Sequence, residues 1–388
     1  MEFALTDNQR SIDQAVRRVC ARFDDAYWLE HDRTGEFPSE FRQAMVEGGW
    51  LGIAMPEQYG GAGLGITEAA VLMHAVANSG GAMSAASTFH INIFGPHPIV
   101  VFGNDNQRQR WLPPLIEGRE TACFAVTEPD AGLDTGNLRT EARLEGAHYV
   151  VEGRKVWTST AQVADKLMLL ARTTPRTSDV SSVDGLTLFY TDLDRERIQV
   201  REIDKMGRKA VDSNELFIDG LMVPVEDRIG EEGKGFRYLL DGLNPERILI
   251  AAEAIGIGRN ALDRAKRYAK ERVVFGRPIG QNQAIQHPLA RSWVELEAGW
   301  LLVLRAAWTY DQGLACGADA NAAKYFAAEA AFKACERALM THGGMGYARE
   351  FQVERLLREV LIPRIAPVSQ ELVLCYLAER VLELPRSY

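Results

Sequence analysis

The chain has no closely spaced pair of cysteines; its five, Cys20, Cys123, Cys316, Cys335 and Cys375, lie scattered. That spacing argues against a disulfide framework or a zinc ribbon and fits free thiols in a reducing compartment. The seven histidines show no ligand spacing either, so no metal site is expected. Positive charge is not in surplus: the formal net charge is −9, which argues against a nonspecific nucleic-acid surface. A local Arg/Lys cluster can still hold an anionic ligand. No run of about 18 or more apolar residues occurs, and no basic segment leads into an apolar one near Met1, so a soluble, cytoplasmic protein without a membrane partner is expected. No internal repeat stands out. The glycines of Tyr59-Gly60-Gly61-Ala62-Gly63-Leu64-Gly65 imitate a nucleotide-binding turn, but no strand precedes them and they read as a loop.

What is present is an ordinary globular composition, 46% apolar and 25% charged, in 388 residues, enough for two or three domains. Thr6-Asp7-Asn8-Gln9 has capping-box spacing, and Ile12, Ala15, Val16, Val19 and Phe23 recur at helical intervals. Residues 1–120 are expected to form an N-terminal helical domain. Over 121–230 the pattern changes to short β-type runs, Tyr149 to Ser159, Leu167 to Ala171, Leu186 to Leu193 and Glu215 to Ile218, as in an antiparallel barrel or sandwich. The hairpin containing the first run is expected to turn near Glu152-Gly153, and Thr173 to Asp184 reads as an exposed loop. Over 231–388 helices resume. Pro245 suits a first helical turn with Asn244 as its N-cap, and Ile248, Ala251, Ala252, Ile255, Leu262 and Ala265 continue as an apolar stripe. The expected fold is α+β and multidomain, ending in a four-helix-bundle-like domain.

Two segments carry the chemistry. Ala125-Val126-Thr127-Glu128-Pro129-Asp130-Ala131-Gly132-Leu133-Asp134 reads as a strand entering a Pro/Gly turn, and Lys155-Val156-Trp157-Thr158-Ser159-Thr160 as the end of a hairpin. They set hydroxyls and backbone amides at strand ends beside a Trp, which suits the polar edge and apolar face of a flavin ring. In order and spacing the pair resembles the flavin-binding strands of the acyl-CoA dehydrogenase family, and the resemblance extends over nearly the whole chain. It implies FAD-dependent α,β-dehydrogenation of an acyl-CoA thioester to the trans-2-enoyl-CoA, with electrons passed to an electron-transfer flavoprotein. Thr127, Trp157 and Ser159 match positions that contact the flavin. Arg272, Phe275 and Gln283 match an element that reaches the FAD of a neighbouring subunit, where an arginine fork suits the pyrophosphate. Gly343 and Gly344 match a glycine turn beneath the adenosine half of that same cofactor, although Met340 stands where the family commonly has Gln. A homotetramer, a dimer of dimers sharing FAD across the interface, is implied by the same segments.

The resemblance also frames the catalytic base. Many family members use a Glu in a C-terminal loop, but the matching stretch, Ile365-Ala366-Pro367-Val368-Ser369-Gln370-Glu371, has Pro367 there, with Ser369 and Glu371 beside the cofactor. The isovaleryl- and long-chain-type enzymes instead place a Glu directly before an Arg on a helix. Asn244-Pro245-Glu246-Arg247 matches that arrangement, so Glu246 is expected to be the base, in a first helical turn whose dipole keeps it ionised. Asn244 and Arg247 are expected to face substrate. Leu133 replaces a usual Ser and makes that part of the pocket more apolar. Proline has no N–H, so the thioester oxygen needs another donor, such as the Val368 amide. A same-fold oxidase and a catalytically poor acyl-CoA-binding flavoprotein are the alternatives. The sequence does not fix acyl chain length, branching or the carrier of the thioester.

Overall fold

The computed structural model describes residues 4–176 and 181–387. Among the described residues eight α-helices precede the first strand: α1 (Asp7–Cys20), α2 (Asp25–Thr34), α3 (Ser39–Glu47), α4 (Ile66–Ala77), α5 (Ala82–Ser87), α6 (His90–Phe94), α7 (His97–Phe102) and α8 (Asp105–Ile116). The capping box at α1 is formed: Thr6 Oγ1 accepts from the Gln9 amide at 3.2 Å, and Gln9 Oε1 from the Thr6 amide at 3.0 Å. Ile12, Val16 and Cys20 then share the buried face. The glycine-rich run after Tyr59 is a loop, as its lack of a preceding strand implies.

The middle region holds β1 (Ala122–Ala125), β2 (Glu141–Glu145), β3 (His148–Ser159), β4 (Lys166–Arg172), β5 (Leu186–Asp192), β6 (Ile198–Glu202), β7 (Ser213–Pro224) and β8 (Arg228–Ile229). They pair in the order β6-β7-β3-β2-β4-β5-β8, and β1 adds to β4 in parallel. The β2–β3 turn is Gly146-Ala147, because Glu145 pairs with His148 and Gly146 takes the left-handed conformation, φ 64°. The expected turn at Glu152-Gly153 is therefore corrected. β3 runs through those residues, with a bulge between Val151 and Gly153. Glycine is needed there for close approach, since a Cβ would lie 2.4 Å from Thr140 Oγ1 and 2.7 Å from Thr140 Cα. Of the expected loop from Thr173 to Asp184, residues 177–180 lie outside the described residues.

The C-terminal region contains α9 (Gly235–Glu271), a short hairpin of β9 (Val273–Val274) and β10 (Arg277–Pro278), then α10 (Gln283–Asp311), α11 (Gly317–His342), α12 (Val353–Glu359), α13 (Ile362–Ile365) and α14 (Gln370–Arg380). α9, α10 and α11 pack mutually, with α14 against α11. Here the second correction falls: Pro245 does not open a helix and Asn244 does not cap one, because α9 begins ten residues earlier, at Gly235. Proline inside a helix removes one backbone hydrogen bond and costs about 3 kcal/mol. The helix continues because both flanks are buried, Tyr238, Leu239 and Gly242 before the proline and Ile248 to Gly258 after it. Val353 to Arg380 contains a window long and apolar enough to cross a bilayer by length and composition, but it is divided into three helices by turns.

One core unites the two helical regions, Trp28, Phe41, Leu72 and Val76 packing in the same cluster as Ile248, Ile255, Leu296 and Val303. The sheet encloses its own core of Val151, Leu167, Leu169 and Leu216. A third cluster joins Trp111 and Leu112 of α8, Leu188 and Tyr190 of β5, and Tyr238 and Leu239 of α9. These shared clusters fix the sheet against both helical regions.

Candidate functional site

At the end of β3 the register shifts between Lys155 and Thr158, and Trp157 takes a left-handed backbone, φ 61°. Lys155 and Thr158 are fully buried, whereas the indole between them is 58% exposed. The Val156 amide donates to the Thr127 carbonyl at 2.9 Å, so the two segments singled out in the sequence run side by side. Ser159 Oγ accepts from Arg208 Nη2 at 2.9 Å, and the same nitrogen reaches Ser213 Oγ at 2.7 Å.

Lys155 supports this surface from below. Its Nζ donates to Glu128 Oε1 at 2.9 Å and to the Val126 carbonyl at 3.1 Å. Glu128 also accepts from the Arg139 amide at 2.6 Å and from the amide and hydroxyl of Thr140 at 2.9 and 2.5 Å. Burial alone would raise the Glu128 carboxyl, but Lys155 and these donors outweigh it and hold the group below its ordinary value.

Glu246 lies in the middle of α9 and keeps partial exposure. The expected dipole effect is therefore absent, since it fades beyond the first turn of a helix. Burial instead pushes its carboxyl up to about 7, against the opposing charges of His90 on α6, Arg247, and Lys324 on α11. Among the described residues no group donates it a hydrogen bond. Beside it, Arg247 Nη1 donates to Asn244 Oδ1 at 3.0 Å, while Arg247 Nε is buried without a partner.

Lys324, fully buried, donates from Nζ to the Val368 carbonyl at 2.6 Å and so ties down the turn containing Pro367. Ser369 follows as the N-cap of α14, its Oγ accepting from the Leu372 amide at 3.4 Å. Glu371 is exposed; its own backbone amide and the Ser369 hydroxyl hold its carboxyl below the usual value.

Another set of predicted residues lies far from Glu246 within one chain. Arg272 ends α9, about 39 Å from Glu246 at about 1.5 Å per residue. Phe275 (φ 53°) and Gly276 (φ 76°) form the two-residue β9–β10 turn, and Phe275 is 99% exposed. Gln283 opens α10 and is exposed; Gly343 and Gly344 follow α11, where a Cβ on either would meet nothing within 4 Å. Leu133 is exposed on the loop after β1.

Four residues around Glu246 and Ser159 went unmarked in the sequence: His90, Arg208, Glu253 and Lys324. Two carried a signal. Glu253 interrupts the apolar stripe of α9, and Lys324 sits among buried alanines Ala320, Ala323, Ala327 and Ala328. A charge in such a stripe demands a partner. His90 and Arg208 carried none. Among the described residues no group of three His, Cys, Asp or Glu side chains has metal-binding geometry.

An exposed indole between strand-end hydroxyls, backed by the buried, unpartnered Thr158 Oγ1 and Arg208 Nε, has the donors and the apolar face that a flavin requires. The comparisons agree. The N-terminal, middle and C-terminal domain families of acyl-CoA dehydrogenase match residues 6–119, 123–221 and 233–382. The acyl-CoA dehydrogenase FadE12 of Mycobacterium tuberculosis is 35% identical over 393 aligned positions, covering 100% of this chain and 99% of that one. The 3-(aryl)acrylate reductase of Clostridium sporogenes is 36% identical over 356, covering 91% and 93%. The structure of butyryl-CoA dehydrogenase from Megasphaera elsdenii superposes with a TM-score of 0.93 at 29% identity, covering 98% of this chain and 100% of that one.

The chain belongs to the acyl-CoA dehydrogenase family. It is an FAD-dependent oxidoreductase of acyl-CoA thioesters.

Proposed function

We propose that Glu246 is the base that removes the α-proton of the thioester, in the placement of the isovaleryl- and long-chain-type enzymes. One observation carries the reading: a partly exposed carboxyl without a hydrogen-bond donor among the described residues is raised by burial to about 7, while Pro367 occupies the alternative position. A base poised near working pH combines a useful ionised fraction with proton affinity. Trp157 would lie against a bound FAD, which would supply the acceptor for the β-hydride. Thr127 and Ser159 hold its polar edge, and Ser369 and Glu371 border it. Asn244 and Arg247 position the thioester, with Leu133 as an apolar contact. The Val368 amide, one peptide before the Val368 carbonyl that Lys324 holds, serves as the thioester-oxygen donor that Pro367 lacks. Arg272, Phe275, Gln283, Gly343 and Gly344 reach the cofactor of a neighbouring copy in a homotetramer. Their exposure at the far end of α9 supports that part of the reading. Five cysteines without a disulfide fit a cytoplasmic location.

The test is an anaerobic titration of the purified flavoprotein with straight, branched and aryl acyl-CoAs. Bleaching of the flavin band is expected with at least one class, and Glu246→Gln should bind that thioester without bleaching. Normal bleaching in Glu246→Gln would remove the base assignment.

A further inference from the structure

His90 and Glu253 make a buried pair directly beside the proposed base. His90 Nδ1 donates to Glu253 Oε1 at 2.5 Å; the side chains are 13% and 1% exposed. Glu253 follows Glu246 by seven residues on α9, which at 100° per residue returns it to nearly the same face, about 10 Å further along. α6 packs on α9 and brings His90 to that face. The other ring nitrogen, Nε2, makes no hydrogen bond among the described residues, and Glu253 Oε2 is buried without a partner. No apolar packing role requires an ion pair in this position.

We propose that His90, held by Glu253, is a positioning residue for the base: it keeps its ring facing Glu246 across the contact between α6 and α9. The proposal rests on Glu246 being the base. The charged groups facing the pair are Glu246 on α9 and Arg208 from the loop before β7; Arg247 and Lys324 act on Glu246 from its other sides. Burial alone would keep His90 neutral, but the charge and hydrogen bond of Glu253, with the charge of Glu246, outweigh burial and raise it above its ordinary value. The positive ring then offsets part of the penalty that burial imposes on the ionised base. Without Glu253 the ring would lose the charge and hydrogen bond that favour its protonated form, and its fixed orientation.

The pH dependence of α-proton exchange in a bound acyl-CoA separates this role from a structural one. His90→Gln should move the acid limb up by about one pH unit with little change in thioester affinity. His90→Lys, which keeps the charge, should return the limb toward the wild-type position. A uniform loss of rate at all pH values, with the limb unmoved, would mean a structural residue and overturn the proposal. A readout independent of turnover is the His90 ring titration followed by histidine NMR on the flavin-loaded protein. Both Glu253→Gln and Glu246→Gln should lower it, because each removes a negative charge from the imidazolium. An unchanged titration in both would also overturn it. Failure of the base reading is distinguishable: Glu246→Gln would then retain exchange, whereas failure of the His90 role leaves exchange dependent on Glu246. Equal flavin content and circular dichroism exclude misfolding, and the near-isosteric Glu253→Gln covers the case in which a His90 variant does not fold.

Discussion

Glu128 and Glu246 are both withdrawn from bulk water, and their surroundings differ in kind. Glu128 accepts hydrogen bonds from Lys155, two backbone amides and a hydroxyl, and its carboxyl is held below the ordinary value. Among the described residues Glu246 accepts none and faces three cations without touching them, and it is raised to about 7. In the β region the buried charge has every partner it needs, so it braces the turn on which the Trp157 surface is built. In the helical region the partner is missing, and a carboxylate without donors is one that can take up a proton. Lys155 shows the strain of its own site, since burial pulls it down to about 8 despite Glu128. Completed pairing suits a scaffold, and incomplete pairing suits the role proposed for Glu246.

Glu246→Gln sharpens this contrast most. Exchange of the substrate α-proton should fall by about two to four orders of magnitude, while thermal unfolding shows no loss of stability. A raised carboxyl favours the protonated fold below about pH 4.5, an advantage lost as pH rises through about 7, so the neutral amide should hold or gain at pH 8. Lys155→Met should do the reverse, costing about 3–5 kcal/mol in urea denaturation because Glu128 is left buried and uncompensated. Adding Glu128→Gln should recover part of that loss. A loss below about 1 kcal/mol in the single variant would break the comparison. In the wild type, lowering the pH from about 6 to about 5 should slow exchange about tenfold, since the base is protonated below about 7; a flat profile would place the proton acceptor elsewhere. Arg143→Ala is the control. It removes an exposed contact to Glu152, 3.3 Å, on the β2–β3 hairpin, and should change stability by less than about 1 kcal/mol.

Much of the frame was legible because its signals are local. Thr6 and Gln9 announce α1, the run Leu167 to Ala171 falls inside β4, and the run Leu186 to Leu193 covers β5 and overshoots it by one residue. The Thr127 and Trp157 segments were legible as a pair through their resemblance to the family. Errors came where one residue type has two uses. Gly153 looked like a turn residue and is a close-approach residue in a bulge; Pro245 looked like a helix start and lies inside α9. Turn and start preferences describe an isolated segment, and in both cases contacts from another segment decided the outcome. The partners of Glu246 were illegible for a related reason. His90 precedes Glu253 by 163 positions, and no local pattern joins them.

By itself the sequence determined the succession of helical, β and helical regions, because periodicity and capping act over one or two turns of chain. It also determined which residue types were available: a Glu-Arg pair on α9, a Trp beside hydroxyls, and no acid at Pro367. Tertiary structure decided that Pro245 would be overrun, that Trp157 would face outward, and that His90 and Lys324 would converge on Glu246. It therefore decided how the carboxyl titrates. The physical reason is range: backbone preference is set by near neighbours in the chain, whereas desolvation and charge are summed over near neighbours in space.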